Sequence, residues 1–529
     1  MRLILTFIGL GSFLLAGAQK QHFVDFYDNG TKMTEGFYEG GTEHGEWKSY
    51  YESGELKEVS NYWHGKLHGQ VIAYHLNGQP MHEGFFRLGD PDSTLTSWNA
   101  RGEVLEQGAY AKGEKTGEWL YYHAADQLWM KEMYTDSAML LLELHGPEGE
   151  VWITEGNGVQ KEFNDSGKLI KETTYKDGLP NGAFIEYFSN DQVRIKGQYL
   201  NGFRDWEWIE YYRLGQVKKK SAYAKGILDG PFEQYFRSEN LEVKGSYVNG
   251  KKEGRWQWFL ESGQVDMEGD FMADLQHGDW VWYFSNGNRN YYGSFDHGKK
   301  TGEWTFHYFG GEVWKKGQYS ADLKEGAWEF WFENGNKLME GTYVADQEDG
   351  EWQSWYDNGS QKDIGHYKAG RMEGSWMGWY PNRVKDYEGS WSNDLKSGKW
   401  SYWYDNGKPQ ETGSYDSEGR KTGYWETFNE SGILEMKGSY EEGTPSGKWE
   451  YFYPNGSPMQ TQSYKDGKLD GEALSYNKFG KVAQEVNYKM GKRHGDYIVY
   501  NERTGKPDIH YQYENGMVAK VLVNRNGGK

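Results

Sequence analysis

The chain is governed by a period. A glycine followed two residues later by an aromatic residue, most often tryptophan, returns every 24 residues along almost its whole length. With that glycine as position 0, it falls at Gly45, Gly69, Gly117, Gly158, Gly182, Gly230, Gly254, Gly278, Gly302, Gly326, Gly350, Gly374, Gly398, Gly423, Gly447, Gly471 and Gly495. From Gly158 to Gly398 every step is 24 or a multiple of 24, and one later step, Gly398 to Gly423, is 25. Gln21, Ser93 and Trp206 occupy the place in three further units, which makes 20 units. A fixed period of this length marks a repeat array, in which one supersecondary unit stacks on copies of itself.

Within the unit each position has its own chemistry. Position 2 is Trp in twelve units, so the structural pairs of the most regular stretch are Gly254 with Trp256, Gly278 with Trp280, Gly302 with Trp304, Gly326 with Trp328, and Gly350 with Trp352. Position 5 is aromatic in every unit except one, where it is His307. Position 9 is usually Gly, often after Asn, as in Asn286-Gly287 and Asn334-Gly335. Position 15 is mostly Gly, and position 17 is Tyr, Phe or Trp in 19 units. Position 20 is mostly Gly, with Asp274, Asp322, Asp346 and Asp394 as exceptions.

An Asn-Gly pair between two aromatic-rich runs is a strong hairpin signal, because both residues accept positive φ. Each unit therefore reads as two short antiparallel strands, at about positions 1–7 and 11–18, with a reverse turn in the Gly-rich stretch that follows. A lone hairpin is marginal in water, so the units must stack. The predicted fold is all-β: an elongated, solenoid-like, single twisted antiparallel sheet, a β-meander of about 20 hairpin repeats. Strand residues alternate faces, so the rings at positions 2 and 5 lie on opposite sides unless a bulge intervenes. The pattern leaves both arrangements open.

Five segments follow. Residues 1–18, MRLILTFIGLGSFLLAGA, have a basic start, an apolar run and a small-x-small end, and read as a secretory signal peptide. They are too short to span a bilayer, and no cysteine follows to make a lipoprotein leader. Residues 19–125 carry about five repeats, 126–157 an irregular insertion or degenerate repeat, 158–519 about fifteen repeats, and 520–529 a polar C-terminal tail. The break at 126–157 holds 17 residues beyond one period and reads as an added or enlarged hairpin, or as a decayed repeat.

The repeat resembles a known one. Gly245-Ser-Tyr247-Val-Asn-Gly250-Lys-Lys-Glu-Gly254-Arg-Trp256 looks like the MORN repeat, with a Trp where the usual form has Gly and a period one residue longer. This version is similar to the MORN-variant repeats of bacterial proteins such as the YwqK-like antitoxins. The resemblance covers about residues 21–519. It implies elongated antiparallel sheets used as scaffolds, as protein-binding surfaces and in some cases as lipid-associated modules. The YwqK-like relatives imply neutralising a toxin by binding.

Composition limits what such an array does. The absence of cysteine removes disulfides, thiolate catalysis and Cys-ligated metals. A net charge of −20 repels phosphate-rich partners over the surface as a whole, so no nucleic acid is expected and a lipid role is disfavoured. No phosphate-binding loop, HExxH or EF-hand motif is present, and a strict repeat is a poor way to converge unlike residues on one site. His44, His68, His277 and His494 each precede a position-0 Gly and read as turn residues. The Asp at position 20 reads as a substitute for Gly in a turn, with weak Ca²⁺ binding as the alternative.

The aromatic rows are the one feature with functional force. Position 5 is Trp in four consecutive repeats, and Trp331, Trp355, Trp379 and Trp403 are the candidate partner-binding residues. The expected function is an exported, non-enzymatic scaffold or protein-binding surface at the bacterial cell envelope, whether periplasmic, outer-membrane-associated or extracellular. A carbohydrate-binding platform and a YwqK-like antitoxin or immunity protein are the alternatives. No catalytic residue, cofactor, metal site or transmembrane span after leader cleavage is expected. The partner is a protein, or a glycan on the first alternative, and the oligomeric state is left open.

Overall fold

A computed structural model of the chain describes residues 19–123 and 127–525. The expected leader lies outside the described residues, as do 124–126 and 526–529. The described residues form 44 β-strands and no helix. They divide into two units, the first ending at Lys251 and the second beginning at Lys252. Within each unit the strands pair antiparallel with their neighbours in chain order. This is the all-β meander of hairpins that the period predicts.

The repeat around Gly326 shows how the residues build it. A strand Leu323–Trp331 is followed by a five-residue loop, a strand Lys337–Val344, a two-residue turn, and the next strand, Gln347–Trp355. The two connections differ from the sequence expectation in an instructive way. The Asn-Gly pair does not close a two-residue turn. Phe332 N–H donates to the Asn336 carbonyl at 2.8 Å, and Gly335 N–H donates to the Phe332 carbonyl at 2.9 Å. Of this pair only Gly335 takes a positive φ, +83°. This is the longer hairpin loop, a turn closed by one left-handed glycine. Asn334 serves as a hydrogen-bonding side chain instead. Its Oδ1 accepts the Asn336 N–H at 2.9 Å, and its Nδ2 donates to the Asp357 carbonyl of the next repeat at 2.8 Å.

The tight two-residue turns lie at the repeat-to-repeat connection. Ala345 and Asp346 have φ of 48° and 67°, the mirror-image turn that matches strand twist. Asp346 tolerates the left-handed region because its carboxylate is employed: Oδ1 accepts the Lys324 N–H of the preceding repeat at 2.7 Å. Asp274, Asp322 and Asp394 do the same for Lys252, Lys300 and Met372 at 2.7–2.8 Å. Asp at position 20 is thus a staple along one rim, as Asn is along the other.

Departures from the period fall in the rims. The one 25-residue step places its extra residue in the connection Asp416–Arg420, where Asp416 N–H donates to the Arg420 carbonyl at 2.9 Å. Across it the rim bonds simply shift: Tyr404 OH reaches the Phe428 carbonyl 24 residues on, where Tyr380 OH reaches Trp403 23 residues on. The segment 126–157 contains the strand Gln127–Tyr134 and then a shortened hairpin, Met139–His145 with Val151–Thr154. Its core is aliphatic, built on buried Leu141, Leu144 and Ile153. At the other end, the expected polar tail begins inside a final strand, Met517–Asn524, paired with Pro507–Glu514.

Candidate interaction surface

The two faces of the sheet are built differently, and a bulge decides how. In the pairing of strands Val313–Ser320 and Leu323–Trp331, Gln318 lies opposite Glu325 and Gly317 opposite Trp328. Gly326 and Ala327 are looped out between them, and Gly326 takes φ +66°. Gly254, Gly278, Gly302 and Gly350 repeat this with φ of 65–78°. Residues −2 and +2 would stand about 13 Å apart on a regular strand, and removing two residues from the ladder halves that. A basic side chain at position −2 is thereby set over the indole at position 2. Lys324 lies 5.3 Å from the Trp328 ring, Lys300 4.5 Å from Trp304, Lys396 4.6 Å from Trp400 and Lys252 4.7 Å from Trp256. Burial pulls the pKa of Lys300 and Lys396 below the ordinary lysine value.

Below the indole lies a glycine. A Cβ added to Gly317 would come within 2.5 Å of three ring carbons of Trp328. Ten other glycines at position 15 stand in the same relation to the next indole. These glycines have no left-handed φ; they are there for space. Where position −2 is basic the Trp thus lies flat between backbone and cation, whereas Gln276 and Glu348 take that place before Trp280 and Trp352. Either way a one-layer sheet buries the ring. Trp256, Trp280, Trp304 and Trp328 are at most 2% exposed, and Trp352 7%. The position-17 rings link the indoles edge to face: Tyr319 to Trp328 at 5.2 Å, Trp328 to Tyr343 at 6.0 Å, Tyr343 to Trp352 at 5.1 Å. Burial pushes the Tyr343 hydroxyl up to about 12.

The rings at positions 2 and 5 do not share a face. Trp328 packs with Phe330, two residues on, so Trp331 points the other way. There it joins a lattice of ion pairs. Lys316 pairs with Glu329 at 3.1 Å and lies 5.6 Å from the Trp331 ring; Lys337 pairs with Glu329 at 3.0 Å and lies 5.7 Å from Trp355. Lys385 holds Glu388 at 2.7 Å and lies 5.3 Å from Trp403. Trp331, Trp355, Trp379 and Trp403 are all half-buried.

These four positions form an unbroken run of indoles; elsewhere position 5 is mostly Tyr or Phe, with Trp98 a single further indole. In four other repeats position 5 is a tyrosine whose hydroxyl donates to a carboxylate of the preceding repeat: Tyr187 to Glu172 at 2.9 Å, Tyr283 to Glu268 at 3.1 Å, Tyr500 to Glu485 at 3.2 Å, and Tyr50 to Glu35. Indoles cannot make that bond to the same oxygen, so these four present flat apolar surface where those tyrosines present a satisfied hydroxyl; Phe259 and Phe428, in other repeats, present apolar rings as well. One repeat is two strands, so the indoles recur about every 10 Å. Open grooves adjoin two of them: one of ≈ 290 Å³ beside Trp331 and Lys316, and one of ≈ 560 Å³ beside Leu338, Trp355 and Lys362.

The basic lid at position −2 and the spacer role of position 15 were missed from sequence. A signal was there. Where position 15 is Ser60, Thr173, Ser221, Gln462 or Val486, the residue eleven on is Val71, Phe184, Phe232, Ala473 or Tyr497, and never Trp.

The family profile described as the MORN repeat variant matches this chain at seven places: 43–64, 157–177, 324–345, 348–369, 396–417, 445–466 and 469–490. No curated protein sequence matches. Among solved structures, the chain is similar to the crystal structure of TcdB2-TccC3-TEV, at 10% identity over 95% of this chain and 30% of that one, with a TM-score of 0.13. It is also similar to the Tc holotoxin pore of Photorhabdus luminescens, at 11% identity over 93% of this chain and 32% of that one, with a TM-score of 0.13. The chain thus spans about a third of the length of these proteins, and likenesses at such scores carry no argument.

Proposed function

Because the chain carries MORN repeats of the variant type, we propose that it is an exported, non-enzymatic scaffold that binds a protein partner at the bacterial cell envelope. The observation that carries this reading is the row Trp331, Trp355, Trp379 and Trp403. Four consecutive repeats place an indole on the face already occupied by ion pairs, where other repeats carry Tyr or Phe. Half-exposed indoles are among the residues that anchor protein interfaces. The repeated units present the same groups again and again, which suits an extended contact and not a single reaction centre. Export rests on the leader-like residues 1–18. Neutralising a toxin by binding is one form this function takes.

The test is retention from envelope extracts by the tagged mature chain, with a variant carrying Trp331→Ala, Trp355→Ala, Trp379→Ala and Trp403→Ala. One protein retained by the wild type and lost by the variant supports the reading. Retention of polysaccharide in place of protein makes the row a sugar platform and refutes it.

A further inference from the structure

We propose that His277, Asp296 and His297 form a binding site for a divalent first-row transition ion of the Zn²⁺ class. His277 lies at position −1, on the strand Leu275–Tyr283. Asp296 ends the neighbouring strand, Arg289–Asp296, and His297 opens the tight turn with φ 48°. Gly278 lies opposite Phe295, and this register brings the three side chains together at one rim.

One ligand atom from each of the three lies within 4.8 Å of the other two. Asp296 Oδ1 is 2.6 Å from His297 Nδ1 and 3.5 Å from His277 Nδ1. The imidazoles meet edge to face at 5.3 Å. His277 Nδ1 is shut off from solvent and makes no hydrogen bond, so it is a nitrogen aimed at this cluster with nothing to bond there. Tetrahedral Zn²⁺ with ligand distances of about 2.0–2.2 Å sets neighbouring donors about 3.3 Å apart. The His277–Asp296 separation already fits. The His297–Asp296 pair must open by about 0.7 Å, and both side chains are more than half exposed and free to turn. Two imidazoles and one carboxylate suit Zn²⁺, Ni²⁺ or Cu²⁺, and not Ca²⁺ or Mg²⁺, which take oxygen donors. Three protein ligands leave a coordination position for water or for a donor from outside.

The chain contains its own contrast. His44 and His64 occupy the same two repeat positions, with rings 5.6 Å apart. There position 18 is Trp63, which packs on both rings at 4.8 Å, in the place where Asp296 supplies a carboxylate. Among the described residues, His277, Asp296 and His297 are the one group of three with this geometry.

The experiment is calorimetric titration of ZnCl₂ into the metal-stripped full chain, with Co²⁺ absorption as a second readout. The expected result is one equivalent bound, weakened about 10–100-fold or more by His277→Gln and by Asp296→Asn, and unchanged by His44→Gln. Asp296 is exposed, so its variant keeps the fold, which far-UV circular dichroism verifies. Absence of Zn²⁺ binding, or equal binding by wild type and both variants, overturns the proposal.

Discussion

Replacing Gly317 by alanine tests the packing of the indole face most directly. Gly317 has no left-handed φ, so on backbone grounds alone Ala is favoured by about 0.5–1 kcal/mol in a strand. The indole reverses that sign. The new Cβ would come within 2.5 Å of Trp328 Cγ, Cδ2 and Cε2, and ordinary contact begins near 3.4 Å. The ring must therefore rise by about 1 Å or leave. It has nowhere to rise: Lys324 covers it at 5.3 Å, and Tyr319 and Tyr343 hold its edges. Rising also breaks the bond from Trp328 Nε1 to the Gln318 carbonyl at 3.1 Å. Overpacking of this kind costs about 1–3 kcal/mol, and complete loss of a buried indole about 4–6 kcal/mol from the ~150–250 Å² it buries. We expect a net loss of about 2–3 kcal/mol. In a repeat array the loss is local, so the assay is amide hydrogen exchange in peptides covering 313–331, where exchange should accelerate by about 30–150-fold. Trp328→Ala removes the obstacle. In that background Gly317→Ala should be neutral or stabilising by about 0.5 kcal/mol. An equal cost in both backgrounds, or a cost below about 0.5 kcal/mol in the wild type, would refute the account.

Three more perturbations address the rims and the rings. Asp346→Gly and Asp346→Ala both lose the bond to Lys324 N–H; glycine offsets that loss by accepting φ 67° freely and should be nearly neutral, whereas alanine keeps the strain and should cost about 1–3 kcal/mol by local exchange. Asn334→Ala removes two hydrogen bonds, one of them to the next repeat, and should open the loops at both Phe332–Asn336 and Tyr356–Ser360 by about 1–2 kcal/mol; protection loss confined to its own loop speaks against the rim link. Tyr343, by burial, and Tyr380, by burial and a bond to Asp386, have hydroxyls raised to about 12 from an ordinary 10.0. Raised values stabilise the protonated fold, so that stability is whole below pH 10 and is lost as pH climbs from 10 toward 12. Tyrosinate absorbance and loss of the β-sheet dichroism should rise together in that window, and ionisation of these tyrosines near 10 with the sheet intact would contradict it.

The meander was legible because its cause is periodic. Stacked hairpins put equivalent residues in equivalent surroundings, so the recurrence of Gly326, Trp328 and Tyr343 in other units reports packing directly. The turns were legible only as places. Asn334-Gly335 and Ala345-Asp346 both mark reversals, but which one is the tight turn depends on strand register, and register depends on the bulge at Gly326. The same bulge hid the lid. Lys324 and Trp328 are four residues apart in sequence and become near neighbours only once Gly326 and Ala327 leave the ladder. Trp331 and its three equivalents were legible as a row; their sharing a face with Glu329 and Lys337 follows from the alternation after the bulge. The cluster of His277, Asp296 and His297 was not legible, because its members belong to two strands and a turn and occur together in one repeat.

The shifted rim bonds around Asp416–Arg420 have a consequence for inheritance. The lattice is indexed by strands, and residue number is free to vary between them. A single inserted residue in a rim is absorbed, as the 25-residue step shows, whereas one inserted within a strand would turn every later side chain of that strand to the wrong face. Unequal recombination between copies deletes or duplicates whole hairpins and keeps both faces intact. On the proposed function valency is then a heritable dial: each gain or loss of one copy lengthens or shortens the row of indoles by one ring, and avidity would change by steps without any new interface having to be invented.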